Sequence, residues 1–266
     1  MTSTASSPSP LPSYGNPPVI EVSFGVIFQK LAGIQSRHFG QFWSEQIRDY
    51  PKTADASPLL DASDVESQRL VVLDLPPLRR MMSFSENDQY VAQLQDTRLH
   101  VNWRRTKPED QYPRYQEVLS RFEHLWSAFS AFVARENVGP LSILRYELSY
   151  FNHIEMGKDV ARSIEENIKF FQFSPLRDSY PSTPDSVNAA WRFGMPGQKG
   201  TATASLSNAI DKKSGNNLLV LIFTCTGPHS DKYSLREWFD AAHEWIVRSF
   251  TDLTTPEAHQ KWGREK

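Results

Sequence analysis

Only one cysteine, Cys225, stands in 266 residues, so no internal disulfide can hold this chain. It lies inside the apolar run LLVLIFTCT, where a thiol serves as a small core group rather than a nucleophile. There is no cysteine pair, no HExxH and no clustered set of histidines, so neither a structural zinc nor a metalloprotease centre has support. No phosphate loop and no nucleophile–base pair is recognisable either. No apolar run approaches the roughly 18 residues of a membrane helix. The opening MTSTASSPSPLPSYG lacks the basic and apolar regions of a signal peptide. Nor is there an excess of one charge: the net charge is −2 and the pI about 6.4, which gives no electrostatic footprint for nucleic acid or an anionic membrane. These absences lead us to expect a cytoplasmic protein without metal, cofactor or membrane partner.

What is present is ample core material. With 39% hydrophobic and 12% aromatic residues, the chain can bury about three quarters of its unfolded surface in one large domain or two small ones.

The stretch LSILRYELSYFNHIE, residues 141–155, organises the rest. Its period of two turns Leu144, Tyr146, Leu148 and Tyr150 one way and Arg145, Glu147, Ser149 and His153 the other, as in a long strand with one core face. Arg145 and Glu147 share the second face, either as an ordinary ion pair or as part of a site.

Before that strand, residues 1–15 are Ser/Pro-rich and expected to be disordered. VIEVSFGVIF alternates as a strand, and Phe39, Phe42, Trp43, Ile47 and Tyr50 mark one side of a helix that Pro51 ends. Residues 51–68 lose all periodicity and are expected to be an exposed loop. A meander follows, LRRMMSFSE, QYVAQLQ and RLHVNWRR, broken at Asn87-Asp88 and Asp96-Thr97. In its last strand Leu99, Val101 and Trp103 face a core, while Arg98, His100, Asn102 and Arg104, joined by Gln93 and Gln95, form a polar face expected to meet water. Residues 112–137 carry the aromatic stripe of a long helix stopped by Gly139-Pro140.

After the central strand come a helix through Val160, Ile164 and Ile168 and the Pro-rich SPLRDSYPSTP. Three strands follow, VNAAWRFGM, TATASLSNA and LLVLIFTCT, the last apolar on both faces and so expected to be covered on both. TATASLSNA is rich in small residues that let something pack close. A capping box, Ser234 to Glu237, starts a helix with Trp238, Phe239, Ala242, Trp245, Ile246 and Phe250 inward. Its other side groups Asp240, His243 and Glu244, a set that suits acid–base work or surface pairing with Arg248. A short tail helix starts at Thr255-Pro256, with Trp262 docking it.

The two halves, residues 16–140 and 141–266, repeat one layout of strand, helix, three strands and helix. The fold class is therefore α+β: antiparallel sheet with long helices on one face, as two β-α-β-β-β-α halves sharing a curved sheet.

Five separated stretches, NPPVIEVSFGVIF, FSENDQYVAQLQDTRLHVNWRR, YPRY, ELSYFNHIE and HEWIVRSFTDLTTPEAHQKWGRE, resemble a sporadically distributed family of uncharacterised prokaryotic proteins, from about Asn16 to the C-terminus. Such patchy occurrence implies an accessory or defence setting and assigns no catalytic residue.

Three functions remain. One is a binding or protein-interaction module whose contact surface is the polar face of His100, Asn102, Arg104, Arg145 and Glu147, or the outer side of the last helix; a protein or a small polar ligand would be its partner. The second is an enzyme assembled from Glu147, Asn152 and His153 with His243 and Glu244. The third is nucleic-acid binding through Arg98, Trp103, Arg104 and Arg105, which the acidic balance disfavours.

Overall fold

The computed structural model describes residues 10–59, 78–171, 185–211 and 214–266. Residues 1–9 of the expected tail, the latter part of the 51–68 loop and the Pro-rich SPLRDSYPSTP lie outside these, wholly or for the most part. Among the described residues nine strands form one antiparallel sheet in the order β2-β3-β4-β5-β1-β6-β9-β8-β7, which bears out the α+β class. In the first half the strands are β1 (Val19–Phe28), β2 (Lys52–Ala56), β3 (Arg80–Phe84), β4 (Tyr90–Gln95) and β5 (Arg98–Arg104). In the second they are β6 (Ile143–Glu155), β7 (Asn188–Gly194), β8 (Thr201–Ile210) and β9 (Asn217–Pro228). The helices are α1 (Ser36–Glu45), α2 (Tyr115–Glu136), α3 (Val160–Asn167), α4 (Leu235–Leu253) and α5 (Pro256–Lys261). Each half follows one connectivity, β1-β5-β4-β3 in the first and β6-β9-β8-β7 in the second. The first half adds β2, where a loop was expected; KTADA has exposed side chains and no alternation, so its strand character comes from backbone pairing to β3 alone.

The chain divides into two compact units, one of Glu21–Ser149 with Thr226–Leu235, the other of Met1–Ile20, Tyr150–Cys225 and Arg236–Lys266. The division passes through β1, β6, β9 and the start of α4. A 13-residue strand is about 43 Å long at about 3.3 Å per residue, long enough for its two ends to pack against different neighbours.

In the first unit α2 lays Val118, Leu119, Phe122, Leu125, Phe129 and Phe132 onto the sheet, all fully buried. Phe122 stacks on Phe24 of β1 at 5.7 Å, and Phe129 meets Phe28 at 5.6 Å and Phe42 of α1 at 5.4 Å. Each such ring contributes about 1.5–3 kcal/mol by burial. The left-handed residue that closes α2 is Asn137, φ 50°, whose N–H bonds the Val133 carbonyl, so the helix stops two residues ahead of Gly139. Ile47, expected on the inner side of α1, is exposed, because α1 ends at Glu45.

In the second unit α4 buries Trp238, Phe239, Ala242, Ile246 and Phe250. Trp245 meets Phe223 of β9 at 6.3 Å and Phe193 of β7 at 5.5 Å. The small residues of β8 make room as expected: Ala204 and Ala202 stand opposite Trp191 and Phe193. In β9 Leu219, Leu221, Phe223 and Cys225 are buried while Val220, Ile222 and Thr224 are only half-buried, so one face rather than both is fully covered. Thr255 caps α5 and Pro256 opens it, as expected. Order begins before Asn16: Tyr14 is buried and bridges to Arg264.

Candidate functional site

Two tight turns bring the polar side chains of the first unit into register. Asp88, at φ 60°, closes the β3–β4 turn, and its N–H bonds the Ser85 carbonyl. Asp96 and Thr97 join β4 to β5, and their carbonyls accept from Leu31 and Phe28. The register then sets Met82, Gln93, His100 and Gly25 in one row across four strands, and Phe84, Val91, Asn102 and Ser23 in the next. Strand alternation adds Arg80, Arg98, Arg104, Glu21, Arg145 and Glu147 to the same face.

A relay of side chains crosses this face. Arg80 Nη1 donates to Gln93 Oε1 at 2.8 Å, Gln93 Nε2 donates to Asn102 Oδ1 at 2.9 Å, and Asn102 Nδ2 donates to Glu21 Oε1. It runs from a cation to a carboxylate with both amides oriented alike, so that each bond polarises the next. Burial pushes the Glu21 carboxyl up, against the pull of Asn102 and of Arg104.

His100 sits beside the relay. It is 5% exposed, its Nδ1 is 3.4 Å from Ser23 Oγ, and its ring lies against Gly25. Burial first, then the charges of Arg98, Arg80 and Arg145, hold its pKa down at about 3, so the imidazole is neutral at pH 7. In the tautomer whose Nδ1 accepts from the Ser23 hydroxyl, the ring hydrogen lies on Nε2. That Nε2 is buried and has no hydrogen-bond partner among the described residues, and the same holds for Arg80 Nε. An orphaned buried donor costs about 1–3 kcal/mol.

This overturns the expected solvent face. Arg98, His100 and Asn102 are 7%, 5% and 5% exposed, because period two tells which side a residue takes and not what lies over that side. Arg104 is also engaged, its Nε donating to the Asp88 carbonyl at 2.8 Å and its guanidinium standing 5.2 Å from the Phe84 ring centre. Glu147 is half-buried on the same face, and both it and Arg145 have further contacts. Trp103 is 1% exposed and packs on Tyr112 at 5.3 Å, so it offers no stacking surface to a nucleic-acid base.

The second-unit candidates do not form one site. The Tyr150 hydroxyl is 2.9 Å from His243 Nδ1 with the rings stacked, and burial holds the His243 pKa down at about 3. Glu244 pairs with Arg248 at 2.8 Å, the surface pairing that stood beside acid–base work as a reading of Asp240, His243 and Glu244, while His243 turns to Tyr150. Asn152 donates to the Leu221 carbonyl at 3.0 Å. His153, half-buried with its pKa lowered by burial, lies three residues from Tyr150 and so on the opposite face of β6 from the one that meets His243. Acid–base chemistry shared by the two histidines therefore has no geometric basis.

Arg80 and Glu21, which complete the relay, were not expected in it. Their side was readable from alternation in RRMMSF and VIEVSF, but the register that joins them to Gln93 and Asn102 was not. Among the described residues no group of three or more His, Cys, Asp or Glu is placed to hold a metal, and no helix is long and apolar enough to cross a membrane. No protein-family model matches the chain, and no curated protein is similar to it.

Proposed function

We propose that the protein is a binding module that takes a small polar ligand on the polar sheet face of Arg80, Gln93, His100 and Asn102. The observation that carries this reading is the buried His100 Nε2 left without a partner among the described residues, beside a relay in which every amide is oriented and used. A protein seldom leaves a buried donor unmade, since the loss exceeds the net gain of an ordinary hydrogen bond; a bound molecule supplies the missing acceptor. In this reading the module serves an accessory or defence system, as its resemblance to a sporadically distributed prokaryotic family implies.

Native mass spectrometry of the protein isolated from its own host tests the proposal. A mass increment of small-molecule size is the expected result. A second chain or a nucleic acid in its place, or a bare chain whose thermal unfolding no compound in a panel of polar metabolites raises, would overturn it.

A further inference from the structure

We infer that the ligand of this face presents an oxyanion, a carboxylate or a phosphate, to Arg80 and His100; the inference rests on the binding-module reading above.

The argument is one of donors and acceptors. Gln93 stands between Arg80 on β3 and His100 on β5, one strand spacing of about 4.8 Å from each strand. Its Oε1 fixes the guanidinium through Nη1, which leaves Nε without a partner among the described residues. On the far side of Gln93 the His100 Nε2 is in the same condition. The acceptors of the relay are already engaged: Gln93 Oε1 by Arg80, Asn102 Oδ1 by Gln93 and Glu21 Oε1 by Asn102. On this face, then, lie two donors on either side of Gln93 beside a relay whose amide acceptors are engaged, and a ligand rich in acceptor oxygens answers them.

Charge selects among such groups. Arg80, Arg98 and Arg145 all act on His100 strongly enough to depress its protonation. Arg98 and Arg145 have further contacts and Glu21 and Glu147 share the face, yet the four guanidinium groups of Arg80, Arg98, Arg104 and Arg145 outweigh the two carboxyl groups, and that balance favours an anion. Guanidinium and imidazole N–H bonds to an oxyanion are charge-assisted, about twice as strong as bonds to a neutral oxygen. Carboxylate and phosphate share this chemistry.

The test is isothermal titration calorimetry of the full chain at low salt, with succinate and inorganic phosphate as separate probes. At least one is expected to bind. Arg80→Met and His100→Phe are each expected to weaken it roughly ten- to a hundred-fold while keeping the wild-type circular dichroism and a cooperative unfolding transition. Should His100→Phe fail to fold, Arg80→Lys decides, since it keeps the charge and removes the Nε donor; it too is expected to bind more weakly. The tighter probe tells a carboxylate ligand from a phosphate one. Absence of binding for both probes at millimolar concentration, or undiminished affinity in the folded variants, would overturn the inference. A neutral molecule found in the native mass spectrum, with neither probe binding, would overturn it and leave the binding module standing.

Discussion

The His100 imidazole lies directly on the bare Cα of Gly25: a Cβ at position 25 would stand 2.5 Å from His100 Cε1 and 2.9 Å from its Nε2. The glycine is what lets the ring lie flat in its row between Gln93 and β1, with Nε2 buried.

Gly25→Ala should therefore destabilise the protein. Within a strand, alanine is ordinarily favoured over glycine by about 0.5–1 kcal/mol. Here the added methyl forces the ring out of its place, and overpacking of this kind costs about 1–3 kcal/mol. Urea unfolding measures the difference, and a variant as stable as the wild type would show that the ring swings away freely.

Stability should fall between pH 7.5 and pH 5. His100 and His243 are both held at about 3, chiefly by burial, below their ordinary 6.5. The unfolded chain takes up their protons first, so their contribution is full above about 6.5 and is lost as pH falls through that value toward 3. At pH 5 each costs about 2 kcal/mol. Glu21, with its pKa raised by burial, acts in the opposite sense, favouring the fold below its unfolded value of 4.5 and losing that contribution as pH rises. His243→Gln, which keeps an acceptor for the Tyr150 hydroxyl, should flatten the slope. Equal urea midpoints at the two pH values would contradict the burial of both imidazoles.

Tyr14 should count as a core residue. Its hydroxyl is 2.8 Å from Thr251 Oγ1, its ring meets Phe250 at 5.5 Å and His259 at 5.6 Å, and flanking backbone bonds join Gly15 to Gly263 and Asn16 to Trp262. Tyr14→Ala should cost about 3 kcal/mol and Tyr14→Phe about 1 kcal/mol. Tryptophan fluorescence during denaturation follows both, because Trp262 packs in the same cluster at 6.4 Å. An unchanged midpoint for Tyr14→Ala would refute the role.

The long periodic elements were legible residue by residue. The helix expected over 112–137 spans Tyr115–Glu136, and the strand expected over 141–155 spans Ile143–Glu155. In the latter Tyr146, Leu148 and Tyr150 are buried and Arg145, Glu147 and His153 take the other side, although Leu144 at the strand's start is exposed. The edge strand β2 was not legible, because an exposed strand paired through its backbone alone imposes no hydrophobic pattern. The polar face was legible as a set of side chains and misjudged as to burial. Its relay joins residues 13, 9 and 81 positions apart in turn, and a period counts only neighbours along the chain.

The amino-acid pattern by itself determined the class of the fold, the order of the helices and longer strands and the side each strand residue takes, since these follow from local periodicity and from turn residues such as Asp88 and Asp96-Thr97. Register, burial and partnership were decided in tertiary structure. Which residue stands opposite His100, whether water reaches it, and whether His243 turns to Glu244 or to Tyr150 depend on how strands far apart in sequence align, and that alignment is set by packing summed over the whole core rather than by any one segment.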